Sequence, residues 1–161
     1  MASALRAMGL PPRAHVAILS KNCAHWIMAD IAIMMAGYIS VPIYPTLSAS
    51  SIEPILTHSD TAAIFVGKLD DYASQKDGIP AHIQKIGFDM YEMTDGKAWT
   101  ELIKNHAPAE DLYYWQHDDL MTIIYTSGTT GVPKGVMLSH QNIYSNVMFS
   151  KESFPFEFEG R

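Results

Sequence analysis

A single cysteine, Cys23, stands among 161 residues. That excludes an intramolecular disulfide framework and any multi-cysteine metal site, and it fits a reducing compartment. Positive charge is also scarce, with 11 Lys+Arg against 17 Asp+Glu and a formal net charge of −6. A nucleic-acid binder normally presents a basic face, so no nucleic-acid partner is expected, and any anion must be held by local geometry against the overall field. No run is long enough to cross a bilayer. The most apolar stretch, WIMADIAIMMAGYI from Trp26 to Ile39, is shorter than the ~18–20 residues a membrane helix needs, and Asp30 interrupts it. The N-terminal MASALRAMGL lacks the basic segment and apolar run of a secretory signal. There is no internal repeat or low-complexity tract. The remaining composition, 48% hydrophobic and 17% charged, is globular, with apolar material for one domain core.

Short β-like runs alternate with helix-like ones. HVAILS (His15 to Ser20) reads as a strand, and the segment from Asn22 as a helix capped by Asn22 and ended by Gly37. Trp26, Ile27, Ile31, Met34 and Met35 recur there at helical spacing, and the helix is apolar on nearly all sides, which predicts burial between layers. SVPIYP, AAIFVG, HIQKIGF, LMTIIYT and GVMLS read as further strands. SASSIEPILTHS, Asp70 to Lys76, AWTELIKNH and the segment from His140 to Ser150 read as helices. This alternation predicts an α/β fold with a mostly parallel sheet flanked by helices. Ligands in such sheets gather at the carboxyl ends of strands.

The strand LMTIIYT empties into the most unusual segment of the chain, TSGTTGVPKGV. Gly128, Gly131 and Gly135 let the main chain approach a ligand closely, and successive amides in such a turn can converge on one anion. Thr126, Ser127, Thr129 and Thr130 add hydroxyl donors, Lys134 a compact positive charge, and Pro133 stiffness. Together they describe a phosphate cradle. It is not the Walker pattern, because Lys134 precedes its glycine and no hydroxyl follows the lysine directly.

YTSGTTGVPKGVMLSHQNI resembles the signature of the adenylate-forming superfamily, which includes acyl-CoA synthetases, luciferases and peptide-synthetase adenylation domains. The stretch from Asn22 to Gly67, and SVPIYPT within it, is similar to the N-terminal region of bacterial long-chain fatty-acid CoA ligases. The resemblance implies an enzyme that couples a fatty acid to ATP, releases pyrophosphate, and passes the acyl-adenylate to coenzyme A. It implies that Thr126, Ser127, Gly128, Thr129, Thr130, Gly131 and Lys134 bind the ATP phosphates. In that scheme Thr126 helps hold Mg²⁺, and Lys134 acts catalytically by offsetting charge on the departing pyrophosphate. The family's tyrosine-glycine-x-threonine-glutamate motif and its C-terminal domain with a catalytic lysine have no counterpart in residues 1–161. The expectation is therefore a fragment of the large N-terminal AMP-binding domain, inactive alone and apt to self-associate through faces exposed by truncation. Its setting is cytoplasmic, with the whole enzyme free to touch a membrane peripherally. Two alternatives stay open: a non-catalytic phosphate-binding or interaction module, and an enzyme that adenylates another carboxylic acid.

Other residues read more plainly. The seven histidines show no pairing at helical metal-ligand spacing. His140 is expected at a helix start. Asp118 and Asp119 are expected as solvated turn residues, since neighbours entering a strand point to opposite faces. Trp26 reads as core, and Tyr113, Tyr114 and Trp115 are expected to pack against the sheet.

Overall fold

The computed structural model describes residues 1–126 and 133–153. Seven strands form one sheet: β1 (His15–Leu19), β2 (Ile39–Ile43), β3 (Thr61–Val66), β4 (Gln84–Gly87), β5 (Lys97–Ala98), β6 (Leu120–Thr126) and β7 (Lys134–Ser139). Their order is β5-β4-β3-β1-β2-β6-β7. Every neighbouring pair is parallel except the β6–β7 hairpin. The helices are α1 (Ala2–Ala7), α2 (Ala24–Ala36), α3 (Ala49–His58), α4 (Tyr72–Gln75), α5 (Trp99–Asn105) and α6 (His140–Ser153). The expected α/β class and mostly parallel sheet are observed. The sequence reading missed α1, too short to show a period, and β5, which has two residues.

The sheet is doubly covered because its central strands are apolar on both faces. On β1, Val16 and Ile18 turn toward Leu5 of α1, Ile33 of α2 and Trp99 of α5. Ala17 and Leu19 turn the other way, onto Ile52, Ile55 and Leu56 of α3. β3 repeats the alternation with Phe65 on the first face and Ile64 and Val66 on the second. Burying a side chain of this size stabilises by about 1.5–3 kcal/mol, so these two layers fix the strand register.

The start and the outer face of α2 differ from expectation. The cap is Cys23 and not Asn22, and its side chain makes no capping hydrogen bond. The helix is not enclosed: Ala29, Ala32, Ile33 and Ala36 are buried, while Ile27, Met28 and Ile31 are exposed. Apolar residues all round predicted burial, but the sheet and α1 cover only the face that carries Ala29, Ala32, Ile33 and Ala36. The far end is closely held. Gly37 takes the left-handed conformation (φ 88°) that ends the helix. The Arg6 guanidinium donates to the carbonyls of Met35 (3.0 Å) and Ala36 (3.3 Å), and Trp115 Nε1–H donates to that of Met34 (2.8 Å). The last-turn carbonyls thus find donors, one of them cationic at the negative end of the helix.

Trp115 and its neighbours therefore pack largely at the end of α2. The Tyr113 ring lies against Gly37, Trp115 also touches the second core layer, and Tyr114 stays exposed. Trp26 is half-buried against the first core layer.

Candidate functional site

The carboxyl ends of β1, β2 and β6 lie along one edge of the sheet. Among them opens a cleft of about 200 Å³, lined by Ser20, Asn22, Trp26, Tyr44, Pro45 and Ile124 among others. Ser20 is buried, and its hydroxyl accepts the Lys68 N–H (2.9 Å) and donates to the Lys21 carbonyl (2.8 Å). The loops after β1 and β3 are thereby tied together, aided by the Lys21 N–H to Lys68 carbonyl bond (2.8 Å). Gly67 is required at this junction: a Cβ there would meet Phe88 Cδ2 and Ser20 Oγ, each at 2.4 Å.

Beside the cleft, β6 and β7 form the hairpin that carries the glycine-rich loop. Their register pairs Tyr125 with Gly135 and Thr126 with Lys134. Thr126 and Lys134 are both exposed, one at the end of β6 and the other at the start of β7. The hairpin thus brings a hydroxyl and an ammonium together where the strands end. Ser127, Gly128, Thr129, Thr130 and Gly131 lie outside the described residues. β6 joins the sheet through β2, with Ser40 beside Thr122 and the Thr122 hydroxyl donating to the Ser40 carbonyl (3.0 Å).

The base of the hairpin is held from three sides. His140 begins α6, as expected; its N–H donates to the Asp119 carbonyl (3.0 Å) and its ring stacks on Trp115 (4.5 Å between centroids). Arg13 lies over the Trp115 ring (5.0 Å) and pairs with Asp119 Oδ1 (3.3 Å). Asp119 Oδ2 also accepts the Gln116 N–H (2.8 Å), so this carboxylate is a structural tie and not the solvated turn residue expected. Desolvation lowers the His140 pKa below the ordinary histidine value, with Arg13 acting the same way and Asp119 opposing.

A second histidine contact was not foreseen. Tyr125 Oη and His58 Nδ1 share a 2.6 Å hydrogen bond, linking α3 to the last turn-ward residues of β6. Burial raises the Tyr125 pKa, with Ser59 partly offsetting it. The sequence signal for the pair was slight, because His58 looked like any helix-terminal histidine. Among the described residues no group of three or more His, Cys, Asp or Glu side chains could hold a metal ion, and no helix is long and apolar enough to cross a membrane.

A family model for the AMP-binding enzyme matches residues 1–159. Long chain acyl-CoA synthetase 4 of Arabidopsis thaliana is 30% identical over 157 residues, covering 89% of this chain and 24% of that protein. Among solved structures, a benzoate CoA ligase from Burkholderia xenovorans LB400 superposes with a TM-score of 0.79 at 24% identity, over 93% of this chain and 29% of that one. The o-succinylbenzoate coenzyme A synthetase from Bacillus subtilis, in complex with ATP and magnesium ion, gives a TM-score of 0.76 at 25% identity, over 97% and 38%. The chain thus spans about a quarter of the length of the synthetase it matches.

Proposed function

We propose that this chain, which belongs to the AMP-binding enzyme family, supplies the ATP-phosphate-binding hairpin of a carboxylate–CoA ligase, with a fatty acid as the carboxylate. The observation that carries the reading is the pairing of Thr126 with Lys134 across the mouth of a loop rich in glycine and hydroxyls. The fatty acid is favoured because several long-chain acyl-CoA synthetases stand among the relatives of the chain. Benzoate and o-succinylbenzoate ligases share the fold, which makes aryl acids the competing substrate class.

In the first step a carboxylate oxygen attacks the α-phosphorus of ATP and pyrophosphate leaves. In the second the coenzyme A thiol attacks the acyl carbonyl, AMP leaves, and the thioester forms. This chain's contribution lies in the first step. The loop amides and the hydroxyls of Thr126, Ser127, Thr129 and Thr130 donate to β- and γ-phosphate oxygens. Gly128 and Gly131 let the backbone close on them, and Lys134 offsets the charge that builds on pyrophosphate. Mg²⁺, when bound, would neutralise phosphate charge, with Thr126 as the ligand this chain offers. Residues 1–161 by themselves bind MgATP no more tightly than about millimolar, because loop ordering and association entropy consume most of the gain. They carry out no adenylation alone, and the whole enzyme works in the cytoplasm.

The test is thioester formation by the whole protein. With palmitate, ATP and coenzyme A the reading expects AMP, pyrophosphate and palmitoyl-CoA in equal amounts, with benzoate a poorer acid. Turnover of benzoate alone would transfer the reading to aryl acids. No AMP with any carboxylate would favour a non-catalytic phosphate-binding module.

A further inference from the structure

We infer that His58 is a positioning residue for the Thr126–Lys134 pair, acting through the hydroxyl of Tyr125. The inference rests on the phosphate-binding reading of the Thr126–Lys134 hairpin and adds a part to it that lies on another element.

Tyr125 immediately precedes Thr126, and its side chain is almost wholly buried. It stands opposite Gly135, where a Cβ would come within 2.8 Å of Ile123 Cγ2 and 3.2 Å of Tyr125 Cζ. The Tyr125 ring therefore lies against the backbone of β7, one residue from Lys134. Where that ring sits decides how closely β7 approaches β6 at the base of the loop, and hence where the Thr126 hydroxyl and the Lys134 ammonium stand.

His58 holds the ring. Its Nδ1 is 2.6 Å from Tyr125 Oη, and the two rings meet edge to face at 5.8 Å. The end of α3 is itself anchored to the centre of the sheet. The carbonyl of Ser59 is hydrogen-bonded to His15 Nδ1 of β1, and the Ser59 hydroxyl bonds to Thr61 Oγ1 of β3 (2.7 Å). A continuous brace thus runs from β1 and β3 through Ser59 and His58 to the edge hairpin. A cleft of about 260 Å³, lined by His15, His58, Tyr125, Gly135 and Met137 among others, lies alongside. Without the hydrogen bond the ring has that space to swing into, and the hairpin loses its fixed spacing where the loop begins.

Inorganic pyrophosphate is the probe, titrated by calorimetry into the whole protein to which this chain belongs. His58→Ala and Tyr125→Phe are each expected to weaken binding about three- to tenfold, the range one such hydrogen bond supports. The double variant should bind no worse than the weaker single. His58→Asn, whose amide can occupy the place of Nδ1, should bind within about twofold of the parent. Melting temperatures read alongside separate this from a role in stability alone, which would lower the melting point without moving the dissociation constant of the folded chain. If His58→Ala does not fold, Tyr125→Phe and His58→Asn carry the comparison. Parent-like binding by Tyr125→Phe overturns the inference while leaving the phosphate reading intact. Absence of any pyrophosphate binding by the whole parent protein overturns both.

Discussion

Thr126 stands opposite Lys134 in the β6–β7 hairpin, and both side chains are exposed. A hydroxyl and an ammonium held across one strand pair give the fold little, and on the proposed reading they serve a polyphosphate. Nothing described in the core leans on either side chain, so each can be changed without disturbing the layers beneath.

Lys134→Gln is accordingly expected to weaken pyrophosphate binding by about tenfold, the scale of one hydrogen bond to a charged group after solvent screening. Its melting temperature should match the parent's. Raising the salt to about 0.5 M should narrow the gap between the two proteins, since the lost contribution is a screened charge. Equal dissociation constants at low salt would remove Lys134 from the phosphate site.

Gly67→Ala tests the edge of the sheet beside the cleft. The new methyl would meet Phe88 Cδ2 and Ser20 Oγ at 2.4 Å, and both side chains are fully or nearly buried, with little room to yield. Overpacking of this kind costs about 1–3 kcal/mol, which lowers the melting temperature by several degrees in a domain of this size. A calorimetric melt unchanged from the parent would mean that the β1 and β3 loops part more easily than their hydrogen bonds imply.

The layers were legible because strand and helix periods are written in the side chains. Val16 and Ile18 against Ala17 and Leu19 declare a strand buried on both faces, and Gly37 ends α2 as its position suggested. The exposed flank of α2 was not legible. Ile27, Met28 and Ile31 look like core residues in any window, and only the sheet's width decides that they are left outside. At the candidate site, the glycine and hydroxyl pattern singled out the segment, and the hairpin shows that Thr126 and Lys134 face each other beside it. The roles of His58 and Arg13 escaped notice because each acts across a sequence separation of about 65 residues or more, which no local pattern records.

Asp30 carries a cost at neutral pH. Burial raises its carboxyl above the ordinary value near 3.8, and the neighbouring Ser40 hydroxyl offsets only part of this. In the pH range between the unfolded and the raised folded value, the folded chain binds more protons, so stability falls as pH rises through it. Asp30→Asn should therefore raise the melting temperature at pH 7 and give little gain below pH 3.8. A variant less stable than the parent at pH 7 would show that the carboxylate makes a favourable contact that outweighs its burial.

His140 carries the opposite sign. Desolvation against Trp115 lowers its pKa below the ordinary 6.5, so as pH falls through 6.5 the unfolded chain takes up a proton that the folded chain does not. Stability should decline below that pH until the folded-state value is reached, and then level off for this group. Its Nε2 is buried without a hydrogen-bond partner among the described residues, which is tolerable for a neutral ring and unfavourable for a charged one. His140→Gln removes the titrating group but keeps the backbone N–H that donates to Asp119 at the hairpin base. Chemical denaturation between pH 7.5 and 5 should show a declining parent and a flatter variant. The two curves should lie closest at the acid end if the glutamine packs less well on Trp115. Parallel curves across that range would place the proton uptake elsewhere, and His140 would then be only the packed first residue of α6.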